Sequence, residues 1–84
     1  MNDDIDIEKI TPNDDWTLTV SFTDGAVKTY DVKPKVFDKG NRDYKWFKKL
    51  QDIHEFRKVV NWAWTAHWDD NTDLSAYELY VNGV

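Results

Sequence analysis

The chain has no cysteine, so neither a disulfide nor a thiolate metal centre can brace it. Its three glycines are scattered, which leaves no glycine loop able to cradle a phosphate. No apolar run approaches the roughly 18–20 residues that span a bilayer. No basic start leads into an apolar segment, so a signal peptide is excluded and a cytoplasmic location is expected. Bases are missing altogether from residues 59–84. With 84 residues, one domain is expected over 1–84, with residues 1–4 frayed.

What is present is aromatic bulk: five Trp, four Tyr and four Phe in a chain whose core must otherwise be thin. A buried ring removes about 150–250 Å² from water, so these side chains carry much of the fold. Charge is segregated along the sequence. Residues 1–32 balance to −6, residues 33–58 to +5 and residues 59–84 to −4, for a net −5. Such segregation suits either internal pairing of basic helices with acidic strands or a charged face offered to a partner.

Periodicity predicts an α+β fold: a small antiparallel sheet of about four strands, opening with a β-hairpin, packed by two or three short helices. Trp16, Leu18, Val20 and Phe22 alternate with small polar residues, the pattern of a half-buried strand. Asp24-Gly25 supplies the positive φ that a tight hairpin turn needs, and Val27 to Val32 returns antiparallel. Val27 is out of phase with Tyr30 and Val32, which predicts a bulge beside Gly25. Ile5-Asp6-Ile7-Glu8 alternates too, ahead of the turn cluster Thr11 to Asp15. Strands are thus expected at 5–10, 16–22, 27–32 and 60–68, helices near 43–50, 53–59 and 76–81, and a connecting loop over 35–42. Asp52-x-x-Glu55 and Ser75-x-x-Glu78 read as capping boxes, the second with Leu74 and Leu79 as a hydrophobic staple. Gly83 suits a helix terminator.

Few residues carry recognisable chemistry. Asp69-x-Asn71-x-Asp73 begins like a calcium loop, but Leu74 and Tyr80 stand where such a loop needs Gly and Glu. His54 and His67 have no second ligand at metal-binding spacing. Ser21 and Ser75 lack a nucleophile setting, and no catalytic constellation can be assembled, so neither an enzyme nor a cofactor is expected. In an extended segment Trp62, Trp64, Ala66 and Trp68 would line one face. Trp62, Trp64 and Trp68, with Asp69, Asp70 and Asp73 beside them, are therefore the candidate surface for a small protein partner. Lys45, Lys48 and Lys49, interleaved with Tyr44, Trp46 and Phe47, are the alternative, a nucleic-acid contact. A third reading is an acidic decoy of a nucleic-acid enzyme, which would require Asp14, Asp15, Asp69 and Asp70 to form one exposed patch.

Several elements in order resemble the small bacterial proteins of the domain-of-unknown-function family twenty-four forty-two. They are Ile10-x-Pro12, Leu18-x-Val20-x-Phe22-x-Asp24-Gly25, Tyr30-Asp31-Val32, Leu50-x-Asp52-x-x-x-Phe56, Trp68, and Asp73-Leu74-Ser75-x-x-x-Leu79-Tyr80. The resemblance implies a compact α+β domain and a partner-binding, antitoxin-like role, since members often stand beside a second small protein and some are fused to a helix-turn-helix domain. It implies no catalytic residue. Two features depart from the family pattern. Trp64 or a neighbour replaces the glycine expected before the strand leading to Trp68, and no helix-turn-helix domain is present.

Overall fold

In the computed structural model, which describes residues 5–84, six strands form two antiparallel three-stranded sheets. The first sheet holds β1 (Ile7–Pro12), β2 (Thr17–Phe22) and β3 (Val27–Asp31), with β2 central. Leu18, Val20 and Phe22 are fully buried, as their alternation requires, while Thr17, Thr19 and Ser21 face outward. Pro12 has no N–H to donate and lies on the edge strand β1, where that is tolerated. Gly25 closes the β2–β3 hairpin with φ +91, a conformation that costs glycine nothing. The register from Ser21–Val27 to Thr17–Asp31 is unbroken, so the bulge expected beside Gly25 is not there. It occurs instead in β1, between Ile7 and Lys9, and Val27 simply belongs to the outward face.

The second sheet departs most from the sequence expectation. Residues 60–68 are not one strand. They form β4 (Val60–Asn61), a reversal, and β5 (Thr65–Asp69), and the expected acidic loop continues into a further strand, β6 (Thr72–Ser75). At the reversal Trp64 N–H donates to the Trp62 carbonyl (2.7 Å) and Ala63 adopts φ +65, a γ-turn of the rare positive-φ kind. The turn that the missing glycine marks is thus made by Ala63. The sheets meet here: Ile7 N–H donates to the Ala63 carbonyl (2.6 Å), and the Asn61 amide donates to the Ile7 and Glu8 carbonyls, each at 3.2 Å.

Between the sheets in sequence lies a layer of very short helices. α1 (Lys33–Phe37) occupies part of the stretch expected as a loop; Pro34 sits in its first turn, where no N–H is needed. The helix expected at 43–50 divides into α2 (Tyr44–Phe47) and a 3-10 turn (Lys48–Gln51), followed by α3 (Ile53–Phe56). Two tryptophans fasten this layer to the sheets. The Trp16 indole N–H donates to the Leu50 carbonyl (2.7 Å), and that of Trp68 to the Phe56 carbonyl (2.8 Å). Asp52 caps α3 through the His54 N–H (3.0 Å), but Glu55 turns to Lys58, so the expected box is half made.

The last helix, α4 (Ala76–Asn82), starts as expected. Ser75 Oγ accepts from the Glu78 N–H at 3.0 Å, and Leu74 and Leu79 are both buried. Glu78 does not reach back to close the box; it accepts from the Tyr30 hydroxyl (2.8 Å) across the fold. Gly83 ends the helix for a reason other than a left-handed cap. Its φ is −75, but a Cβ there would stand 2.5 Å from the Leu79 carbonyl oxygen and 2.8 Å from Lys28 Cβ. This close approach lets Val84 exchange two backbone hydrogen bonds with Thr29 (2.9 and 3.0 Å), covering part of the free edge of β3.

Gly83→Ala should therefore cost about 1–3 kcal/mol in urea unfolding, since rigid backbone would have to move. Faster hydrogen exchange at the Thr29 amide should accompany the loss; an unchanged amide would show that the Val84 pairing does not depend on Gly83. Burial, reinforced by the Glu78 carboxylate, raises the Tyr30 phenol above its ordinary value of 10. A phenol raised in the folded state contributes stability that is fully present below the unfolded value and lost as pH climbs past it. The protein should lose stability above pH ~10, and Tyr30→Phe should flatten that decline while lowering stability at neutral pH by about 1 kcal/mol.

Candidate protein-interaction surface

The chain reversal at Ala63 decides where the tryptophans go. Along β5, Ala66 and Trp68 point inward: Ala66 is fully buried and Trp68 packs on Phe47 and Phe56 at ring separations of 6.0 and 5.8 Å. Trp62 precedes the reversal and lies on the opposite face. There its indole stacks on the His67 imidazole with centroids 3.7 Å apart and planes 12° from parallel. The expected single row of Trp62, Trp64 and Trp68 does not form. A period-two count holds only while the strand is unbroken, and Ala63 breaks it.

What the structure does assemble is an outward corner on the second sheet. Val60 pairs with His67, and His67 with Asp73, so these three side chains form one cross-sheet row on the solvent side. Trp62 lies over His67, and Trp64 is 6.3 Å from Trp62. Trp62 is 45% and Trp64 64% exposed, large values for the most costly rings to hydrate. The Trp64 carbonyl accepts from Ala76 N–H (2.9 Å), which starts α4 beside the corner with exposed Tyr77 next in the chain. His67 and Tyr77 are the members that sequence reasoning missed. Tyr77 was detectable, because it falls on the side of α4 opposite Ala76 and Leu79.

The acidic candidates separate likewise. The Asp69 carboxylate forms an ion pair with Lys49 and accepts from the Asn71 N–H (2.9 Å), and these bonds hold its pKa below the usual carboxylate range. Lys49 therefore leaves the basic candidate surface in the same step. Asp70 is exposed at the β5–β6 turn, and Asp73 is exposed in the His67 row. Lys45 and Lys48 are exposed; the Lys45 ammonium lies 5.1 Å above the Trp46 ring. Of the four carboxylates in the decoy reading, Asp14 is paired with Arg57 and Asp69 with Lys49. Asp15 accepts from Thr17 in its own turn, which lowers its pKa. His54 is exposed and Ser75 caps its helix. Among the described residues there is no cavity, no group of three or more potential metal ligands, and no helix long and apolar enough to cross a membrane.

Two short antiparallel sheets, a layer of helical turns and an open aromatic corner define a small α+β domain that presents a surface. Residues 7–84 match the family model described as "Protein of unknown function (DUF2442)", and the chain belongs to that family. Neither a curated protein nor a solved structure matches it significantly.

The strain at Ala63 lies at the centre of the corner. A left-handed φ costs a residue with a Cβ about 1–2 kcal/mol, against the roughly 0.5–1 kcal/mol of unfolded-chain entropy that glycine brings. Ala63→Gly should accordingly raise stability by about 0.5–1 kcal/mol, with Trp62–His67 stacking unchanged by NMR ring-current shifts. A destabilised Gly variant would show that the turn is not strained.

Proposed function

We infer that the protein is a non-enzymatic interaction module whose aromatic corner, Trp62 and Trp64 with His67 and Asp73, docks a small protein partner. The observation that carries this reading is the exposure of two adjacent tryptophans on either side of a strained turn. Each ring could have been buried in a chain short of core material. Tryptophan dominates the energetics of protein interfaces, and strained backbone concentrates where geometry is used. The free carboxylates of Asp70 and Asp73 supply a polar rim of one sign. Trp68 and Asp69 belong to the scaffold beneath the corner rather than to the contact itself. The proposed role is antitoxin-like or regulatory, in a two-component pair, with no catalytic step in this chain.

Purification from the native cell should recover one stoichiometric small protein. The Trp62→Ala, Trp64→Ala double variant should lose it while still unfolding cooperatively, with a thermal midpoint lowered only by the loss of the Trp62–His67 stack, worth about 0.5–1.5 kcal/mol. Retention of the partner by the folded double variant, or a wild-type monomer with nothing bound, would sink this reading.

A further inference from the structure

The bases of the 33–58 segment fall into two groups once their partners are known. Lys33 pairs with Asp31, Lys35 with Asp43, Lys49 with Asp69, Arg57 with Asp14 and Lys58 with Glu55. Among the described residues no carboxylate pairs with Lys39, Arg42, Lys45 or Lys48, and all four are exposed. Of the acids in the same stretch, Asp43 and Glu55 are in ion pairs, whereas Asp38 and Asp52 accept only from backbone N–H groups. Asp38 accepts from the Gly40 N–H (2.9 Å), Asp43 holds Lys35 (2.6 Å), and Asp52 caps α3. A protein of net charge −5 thus leaves four cations without an ion-pair partner in one stretch, against the two carboxylates of Asp38 and Asp52.

Backbone geometry lines three of these cations up. Asn41 N–H donates to the Asp38 carbonyl (2.9 Å), Tyr44 to Asn41 (3.0 Å) and Trp46 to Asp43 (3.0 Å), a run of three-residue turns leading into α2. In such turns, residues three apart fall on the same side. Positions 42, 45 and 48, three apart through a turn, α2 and the 3-10 turn, therefore form a short ridge at about 5–6 Å per step, and Lys39 lies in the separate turn before it. Trp46 stands beside it, 41% exposed. Its main chain is fixed by the Thr72 hydroxyl, which donates to the Trp46 carbonyl (3.0 Å), and the Lys45 ammonium lies 5.1 Å from the ring centroid, so one cation of the group already borders the indole.

We propose that this ridge, Arg42, Lys45 and Lys48 with the Trp46 ring, together with Lys39 before it, binds the phosphodiester backbone of single-stranded nucleic acid. Regularly spaced cations neutralise successive phosphates, and an exposed indole offers a face on which an unpaired base stacks. A duplex keeps its bases stacked and offers Trp46 no partner, so single strands are preferred. The proposal is independent of the aromatic corner, which involves none of these residues.

Binding of the full chain to labelled oligothymidylate, oligouridylate and a mixed duplex tests it by fluorescence anisotropy. A single strand should bind and weaken about 20- to 50-fold between ~50 and ~200 mM salt, as neutralising three or four phosphates requires. The Lys45→Glu, Lys48→Glu double variant should abolish binding, and Trp46→Ala should weaken it at least about fivefold with its salt dependence intact. The Trp62→Ala, Trp64→Ala variant should bind like wild type. Comparison of the two oligomers separates RNA from DNA as the ligand. No single-strand binding at low salt, tighter binding of duplex, or full binding by a folded Lys45→Glu, Lys48→Glu variant would each overturn the proposal.

Discussion

Two indole N–H groups hold this fold together across its layers. α3 and the 3-10 turn are four residues each, too short to satisfy their own terminal carbonyls. Trp16, beside the first sheet, donates to Leu50, and Trp68, from the second, donates to Phe56. Each bond is made by a bulky ring that also packs against the helical layer, so the same side chain supplies burial and satisfies a carbonyl. Trp16 accepts an unfavourable φ of +59 to reach its acceptor, and Phe37 meets its ring edge-on at 5.0 Å. Without these anchors the helical turns would have neither the length nor the propensity to persist.

The parts of the fold legible in the sequence are those where one local signal acts alone. The alternation of Leu18, Val20 and Phe22 and the serine cap at Ser75 both translate directly into structure. Failures occur where a local pattern admits two conformations and a distant contact selects one. Trp62, Trp64 and Trp68 share parity in an extended chain, but the chain reverses between them, because Ile7 and Asn61 tie the Ala63 turn to β1. Glu78 looks like the second half of a capping box, yet a hydroxyl from β3 outcompetes the neighbouring N–H. The stretch 35–42 reads as a connecting loop, although Pro34 just before it is well placed in the first turn of α1. The glycine lost from the family pattern was a true sign of a turn, retained by an alanine under strain.

Charge followed the same rule. The alternation of acidic, basic and acidic segments suggested internal neutralisation or external display, and the molecule does both. Asp14 and Asp69 come from the acidic segments to Arg57 and Lys49 of the basic one, helping to set helices against strands. Pairs this exposed contribute at most about 1 kcal/mol each, so their main effect is on which charges remain. Asp70 and Asp73 are left beside the aromatic corner, and four bases are left near Trp46. Two surfaces of opposite sign thus emerge by subtraction, which no reading of segment totals could have located.

The bridge between Val84 and Thr29 has a temporal meaning. It joins residues 55 positions apart, and β3 cannot acquire this neighbour until the end of α4 has been synthesised. The amino-terminal hairpin can form early on its own short-range contacts, but part of its edge stays open throughout translation. Gly83 and Val84 thus cover an edge that the hairpin's own contacts leave open.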